Sequence, residues 1–261
     1  MRIVKAHAYG NDFLLAPAED VRGDLSSQAR RMCDRHLGAG ADGLVVFQLR
    51  ERAASMTLFN ADGSPSELSG NGLRCLAALV AHRQGLSAGA ILTIDTGAGL
   101  KTLELMSVDG PRHTLRAALG PPTDLRQERI PVEGELLTAS VLGMGNPQCV
   151  VLGQLPDAAR FARLGPALAT HRMFPSGTNV EFAQILAPDR IRILIWERGV
   201  GPTSSSGTGT SASAVAAAAH GGAAREMDVD APGGTQHVEW RADGVYLTGW
   251  AELVFEGEWL L

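Results

Sequence analysis

Two serines in this chain open nearly matching glycine turns, Ser69-Gly70-Asn71-Gly72 and Ser206-Gly207-Thr208-Gly209, and each turn runs into a small-residue apolar stretch that reads as a helix. A helix start led by glycine exposes backbone N–H groups at the positive end of the peptide dipoles, which makes it a ready anion site. A carboxylate is one candidate ligand and a phosphate another. The Walker pattern is absent, however, and neither turn carries the six-residue dinucleotide fingerprint with its acidic partner. A lone G-x-G is only a turn. Two in register, each behind a hydroxyl, point to a site with matched groups on opposite walls, which suits chemistry on both faces of one atom.

The register extends beyond the turns. At an offset of 137 residues Pro65 pairs with Pro202, Ser66 with Thr203, Ala77 with Ala214 and Ala81 with Ala218. At an offset of 135, Gly10-Asn11 pairs with Gly145-Asn146, His36 with His171, Val45 with Val180 and Phe47 with Phe182. The chain therefore reads as an internal duplication, with two helix starts facing each other across one cleft. The helix after Gly72 and the one after Gly209 are apolar on most sides, and helices without a polar face are buried ones. Asp24 or Ser26 can cap a further helix carrying Leu25, Ala29, Met32, Cys33 and His36 and stopping at Gly38. Segments 44–49, 56–60 and 90–96 read as strands. The fold expected is α/β (α+β), with two pseudo-symmetric lobes that each wrap strands around one central helix. The lobe ranges expected are 1–112 and 113–249, with a boundary in the segment Asp109 to Pro122 and a C-terminal strand over 250–261 as a candidate to complete the first lobe.

With 261 residues the chain can bury a sound core. A net charge of −5 with both signs scattered gives no footprint for nucleic acid or an anionic membrane, and no apolar run reaches spanning length. Three cysteines, Cys33, Cys75 and Cys149, have neither the number nor the spacing of a disulfide framework or a metal site. With no apolar signal core at the N-terminus, a reduced cytoplasm is the expected compartment.

Several segments resemble the diaminopimelate epimerases. They are Gly10-Asn11-Asp12-Phe13, Arg35-His36 with 38–43, Phe59-Asn60-Ala61-Asp62-Gly63-Ser64, Gly70-Asn71-Gly72-Leu73-Arg74-Cys75, Gly145-Asn146-Pro147, Asn179-Val180-Glu181-Phe182, Glu197-Arg198-Gly199 and Gly207-Thr208-Gly209. They fall in the family's order and span most of the chain. The resemblance implies two lobes, each a curved, mostly antiparallel sheet around a central helix, and an epimerase that uses neither cofactor nor metal. It would interconvert LL- and meso-diaminopimelate on the route to lysine and peptidoglycan. Glu197 and Arg198 would hold the ammonium and carboxylate at the reacting centre. Asn11, Asn60, Asn146 and Asn179 would supply directional hydrogen bonds, and Gly70, Asn71, Gly207 and Thr208 would receive the carboxylate. The partner is a small amino acid, with no nucleic acid or membrane, and a homodimer is one candidate assembly.

The sequence departs from the family where the chemistry is done. Such epimerases place cysteine before G-N-G and before G-T-G, one removing the α-proton and the other reprotonating the opposite face. Here those positions hold Ser69 and Ser206, and Gln148 stands where the family usually has histidine. A thiol at a helix start is partly thiolate at neutral pH, whereas a hydroxyl is a far weaker acid that needs an adjacent base. His36 and His171 are the candidate helpers, while His7, His113, His220 and His237 read as surface or packing residues. Three readings stay open: an epimerase of this type working with serines, a sister isomerase or racemase on another amino or unsaturated acid, and a ligand-binding homologue that has lost catalysis.

Overall fold

The structure, a computed structural model, describes residues 1–67 and 69–260. Leu68 and Leu261, the latter ending the strand expected over 250–261, lie outside the described residues. The chain divides into two units, one of Met1–Ala117 with Gly249–Leu261 and the other of Ala118–Thr248. In chain order the elements are β1 (Arg2–Ala8), β2 (Asn11–Pro17), α1 (Leu25–Cys33), β3 (Gly43–Arg50), β4 (Ala53–Asn60), β5 (Pro65–Ser66), α2 (Gly70–Arg83), β6 (Ile91–Thr96), β7 (Gly99–Asp109) and β8 (Arg112–Gly120). They continue with β9 (Thr123–Val132), β10 (Glu135–Gly143), β11 (Pro147–Leu152), α3 (Ala158–Ala169), β12 (Asn179–Ala187), β13 (Arg190–Glu197), β14 (Gly201–Thr203), α4 (Gly207–His220), β15 (Glu226–Ala231), β16 (Gly234–Arg241) and β17 (Gly244–Glu258).

The duplication read from sequence is a duplication of topology. The run from β1 to β8 and the run from β10 to β17 share one order: two strands, a helix, three strands, a helix, three strands. Their pairings match as well. The parallel pair β2–β3 recurs as β11–β12, and the parallel pair β4–β6 recurs as β13–β15. The hairpins β3–β4 and β12–β13 are both antiparallel, as are β6–β7 and β15–β16. Each unit is thus a mostly antiparallel sheet with one central helix, α2 or α4.

Those central helices are stable because their sheets cover them. α2 packs against β1, β2, β3, β4 and β6, and every residue from Asn71 to Ala81 is buried. α4 packs against β10, β11, β12, β13, β15 and β16. Its Ala212, Ala214, Val215, Ala216 and Ala217 meet Ile191, Ile193, Ile195, Val229 and Val238, so small residues let the strands come close on several sides. Gly85, at φ +60°, ends α2 in a left-handed turn: its own N–H bonds to His82 O at 3.2 Å and Leu86 N–H reaches back to Ala81 O at 2.9 Å.

The expected strands 44–49 and 56–60 lie within β3 and β4 and 90–96 overlaps β6 from Ile91, while α1 is shorter than its spacing predicts. Asp24 caps it, accepting from Ser27 N at 2.9 Å, but it stops at Cys33 rather than running past His36 to Gly38. Asp34 is the cause. It leaves helical geometry at φ −58°, ψ 126°, and its Oδ1 takes the N–H groups of His36 and Leu37 at 2.8 and 2.7 Å. A short acceptor of this kind offers the backbone an alternative to continued helix.

Because α2 is enclosed, truncating it should cost both transfer energy and a cavity. Leu76→Ala should lower unfolding free energy by about 2–5 kcal/mol in denaturant titration, with the slope unchanged.

Candidate active site

Both central helices begin on their serine. Ser69 is the N-cap of α2 in extended geometry, φ −126°, ψ 124°, and its Oγ accepts from Gly72 N at 3.1 Å. Ser206 caps α4 in the same way, φ −141°, ψ 121°, with Oγ accepting from Gly209 N at 3.2 Å. Both serines are half-buried. Each oxygen therefore sits at the positive end of a buried helix and holds one of its orphan N–H groups, leaving the others of the first turn for an anion.

In the first unit the surroundings of Ser69 are a network of amides and ions. Asn71 Nδ2 donates to Asn11 Oδ1 at 3.1 Å, Asn11 Nδ2 donates to Asp42 Oδ2 at 2.7 Å, and buried Arg74 donates to Asn71 Oδ1 at 3.1 Å. The side chain of Asn71 thus serves the scaffold of the helix start. Asp12 anchors the base of the Asn11 loop. Lys5 meets it at 2.5 Å and Arg35 at 2.8 Å, and Arg35 bridges on to Asp42 at 2.8 Å. Burial alone would raise the Asp12 carboxyl, but the hydrogen bonds from Arg35 and Lys5 outweigh it and hold the group down at about 2. Asn60 pairs with Gly43 across the β3–β4 hairpin, is exposed, and donates to Ser64 Oγ at 2.9 Å. The ring of Phe13 fills the space beside Gly72, where a Cβ would stand 3.3 Å from Cε1.

The second unit gathers Asn146, Gln148, Asn179, Glu181, Glu197, Arg198 and the Ser206 turn. β11 and β12 run parallel with Gln148 opposite Asn179, and Asn179 Nδ2 donates to Pro147 O at 3.3 Å. Asn179 Oδ1 accepts from Arg198 N at 2.9 Å, and Arg198 sends its exposed guanidinium to Ser176 O at 2.8 Å. Glu197, half-buried, ends β13 opposite Gly201. One end of the buried Gln148 amide lies 3.1 and 3.3 Å from the two oxygens of Glu181. The other end lies 3.1 Å from Thr208 Oγ1 and 2.5 Å from Asn146 Oδ1.

Glu181 is the residue that sequence reasoning missed. In sequence it is one charge between Val180 and Phe182, which a strand can place on either face. The register sends Val180 and Phe182 to the side of α3 and turns Glu181, like Ala183, toward α4. Its carboxyl stands where a Cβ on Gly209 would collide with Oε1, and Ser206 Oγ is 3.2 Å from that same point. Burial first, and then the charge of Glu197, push the Glu181 carboxyl well above the ordinary carboxylate range.

The other candidate helpers do not reach the serines. His171 is engaged elsewhere, with Nε2 against Pro131 O at 3.2 Å and Nδ1 accepting from Met173 N at 3.3 Å, and His36 is exposed beyond the end of α1. Nor do the native thiols replace the missing pair. Cys33, Cys75 and Cys149 are free and buried, and burial pushes the Cys75 thiol up to about 12 and raises Cys149 further. Among the described residues no group of three or more His, Cys, Asp or Glu is arranged to hold a metal, and no helix is long and apolar enough to cross a membrane.

The glycines of the two turns differ in what they make room for. Gly70 faces open space while Gly209 makes room for Glu181, so Gly70→Ala should be tolerated in stability and Gly209→Ala should destabilise by more than about 1 kcal/mol in thermal or chemical unfolding. Glu181 also fixes the sign of a pH effect. A carboxyl whose folded value is raised keeps its proton while the unfolded chain has lost one, so stability falls as pH rises above about 4.3 toward the raised value. The Tm of Glu181→Gln relative to the parent should therefore climb between pH 4 and pH 8.

Comparison with known proteins agrees with this geometry. The sequence pattern of the family described as diaminopimelate epimerase matches residues 3–123 and 140–254. A diaminopimelate epimerase of Desulforudis audaxviator is 43% identical, covering 100% of this chain and 99% of its own, and one of Pelotomaculum thermopropionicum is 39% identical, covering 99% of each. In fold the chain is similar to a predicted epimerase of Pseudomonas aeruginosa, with a TM-score of 0.75 at 14% identity over 100% of this chain and 99% of the other. It is likewise similar to a hydroxyproline epimerase of Agrobacterium vitis, with a TM-score of 0.69 at 16% identity over 98% and 90%. Matched over nearly its full length by sequence and in fold, this chain belongs to the diaminopimelate epimerase family.

Proposed function

We propose that the chain is a cofactor-independent epimerase that interconverts LL- and meso-diaminopimelate in the cytoplasm, on the route to lysine, with Ser69 and Ser206 exchanging the Cα proton. The observation that carries this reading is the cap geometry: each serine oxygen sits at the start of a buried helix and accepts one of its N–H groups. The same N–H groups and dipole that receive the serine oxygen also favour a carboxylate and, more strongly, the extra charge that reaches it when Cα loses its proton. Stabilisation that grows toward the transition state is what accelerates the step.

In this reading Glu197 takes the ammonium and Arg198 the carboxylate, while Asn11, Asn60, Asn146 and Asn179 orient the amino acid. The backbone groups of Gly70, Asn71, Gly207 and Thr208 complete the cradle. The Arg198–Asn179 and Asn71–Asn11 hydrogen bonds support it, because each fixes a candidate ligand before any substrate arrives. One serine removes the proton and the other returns a proton to the opposite face. Serine is the weaker exchanger, so turnover is expected to be slow, and the neighbouring N–H donors are what bring a hydroxyl within range of the task.

Deuterium uptake at Cα from D₂O tests the reading, with LL- and meso-diaminopimelate run beside a panel of other amino acids. Exchange with inversion on diaminopimelate supports it. Exchange only on another acid makes the chain a sister isomerase, and exchange on none makes it a binding homologue. Because the deficit is one of acidity rather than shape, Ser69→Cys/Ser206→Cys should raise the rate by at least about 100-fold, well above the sum of the single changes. A double variant no faster than the parent would show that the serines are not the proton exchangers.

A further inference from the structure

We propose that Glu181 is the proton partner of Ser206, a buried carboxyl that takes and returns the proton Ser206 exchanges with the substrate; this rests on the epimerase reading above. The two half-sites are unequal in a way their shared topology does not require. Gly72 and Gly209 are equivalent positions of the repeat, and in each unit the missing Cβ admits a side chain beside the capping serine. At Gly72 it is the Phe13 ring, and at Gly209 it is the Glu181 carboxyl, with Ser206 Oγ 3.2 Å from the point a Gly209 Cβ would occupy. A carboxyl takes no such place at a buried helix start for packing, since burying it is costly unless it is neutral or paired.

The polar shell of Glu181 can follow its proton. When Glu181 is protonated it donates to the Gln148 amide oxygen, and the amide nitrogen donates to Asn146 Oδ1. When it is ionised the amide turns over, its nitrogen donates to both Glu181 oxygens at 3.1 and 3.3 Å, and the Thr208 hydroxyl donates to the amide oxygen at 3.1 Å. The Asn146 amide turns over with it, so that its nitrogen meets the Gln148 oxygen, and two neutral side chains thus serve either state. Thr208 carries the change into the turn that Ser206 begins.

In the forward step the Cα–H bond breaks, its proton bonds to Ser206 Oγ, and the Ser206 hydroxyl proton moves to Glu181. The electron pair left on Cα spreads into the substrate carboxylate. In the reverse step Glu181 returns its proton to Ser206 as the hydroxyl proton goes to Cα. No co-reactant other than water is needed. The ionisable groups that face Glu181 are few. On β13 there is Glu197, whose charge adds to the effect of burial in raising the Glu181 carboxyl, and on β11 there is the buried Cys149 thiol. α4 carries no ionisable side chain before His220, and α3 lies against the opposite face of β12. On the opposite face of Cα the Ser69 hydroxyl gives its proton to the carbanion, the Ser69 oxyanion left behind is held by the first-turn N–H groups of α2, and it regains a proton from water as Glu181 releases its own.

Glu181→Gln and Glu181→Asp, each compared with the parent, test this in two independent ways. In the pH profile of kcat for diaminopimelate, Glu181→Gln should lose at least about 100-fold with KM within about threefold, and the limb belonging to one ionisation should vanish, while Glu181→Asp restores that limb. A loss that leaves the limb in place, or no loss, overturns the proposal. Without substrate, infrared difference spectra of parent minus Glu181→Gln should show a protonated carboxyl at pH values where an exposed glutamate is ionised, with a midpoint that shifts in Ser206→Cys. If no such band exists, or if Ser206→Cys leaves it unmoved, Glu181 is not coupled to Ser206. Absence of Cα exchange with that coupling intact would overturn the epimerase reading instead.

Discussion

A hydrogen bond of about 3 Å from a helix N–H to a serine oxygen, made twice, is the contact on which the candidate site depends. It requires an extended residue at the cap, a first turn of small residues so that the oxygen can approach, and a helix enclosed well enough to hold its start in place. The chain meets each requirement. Ser69 and Ser206 are extended, glycine follows at the first and third positions, and the two helices are sheathed by their sheets. The small-residue run of α4 serves packing and site together, since the strands that approach its alanines also bring Gln148 and Glu181 beside its first turn.

The chemistry then turns on the difference between oxygen and sulfur. A cap favours the negative form of either, but a hydroxyl begins so much less acidic that one N–H bond does not make it the equal of a thiolate. Nothing else in the chain supplies a thiolate, because all three cysteines are buried and all three are pushed far from ionisation at neutral pH by that burial. What the structure offers instead is unequal support. Beside Ser69 lie Phe13 and, one turn further along α2, the buried Arg74; beside Ser206 lies a buried acid. The two halves of the repeat are thus chemically unequal, with an aromatic ring beside one helix start and a buried carboxyl beside the other.

The duplication was legible because the residues that recur are those with no substitute. Pro65 and Pro202 sit in the short strands β5 and β14, each of which leads into a capping serine, and the two glycine turns start the two helices without polar faces. The family followed from the order of those same segments. Less was legible where one side chain competes with a pattern. Asp34 ends α1 early by taking two N–H groups, although the apolar spacing continues to His36. Glu181 was hidden for another reason. Its meaning depends on which face of β12 it occupies and on Gly209 leaving room across from it, and neither pairing register nor empty space is written in local sequence.

The central claim is that both serines handle the Cα proton, and it is tested most directly by following each stereoisomer of diaminopimelate in D₂O with Ser69→Ala and Ser206→Ala. The account predicts that either change stops conversion to the other stereoisomer, since inversion needs a group on each face, and that the stereoisomer still able to exchange with retention differs between the two variants. Inversion continuing at the parent rate in either variant would contradict it.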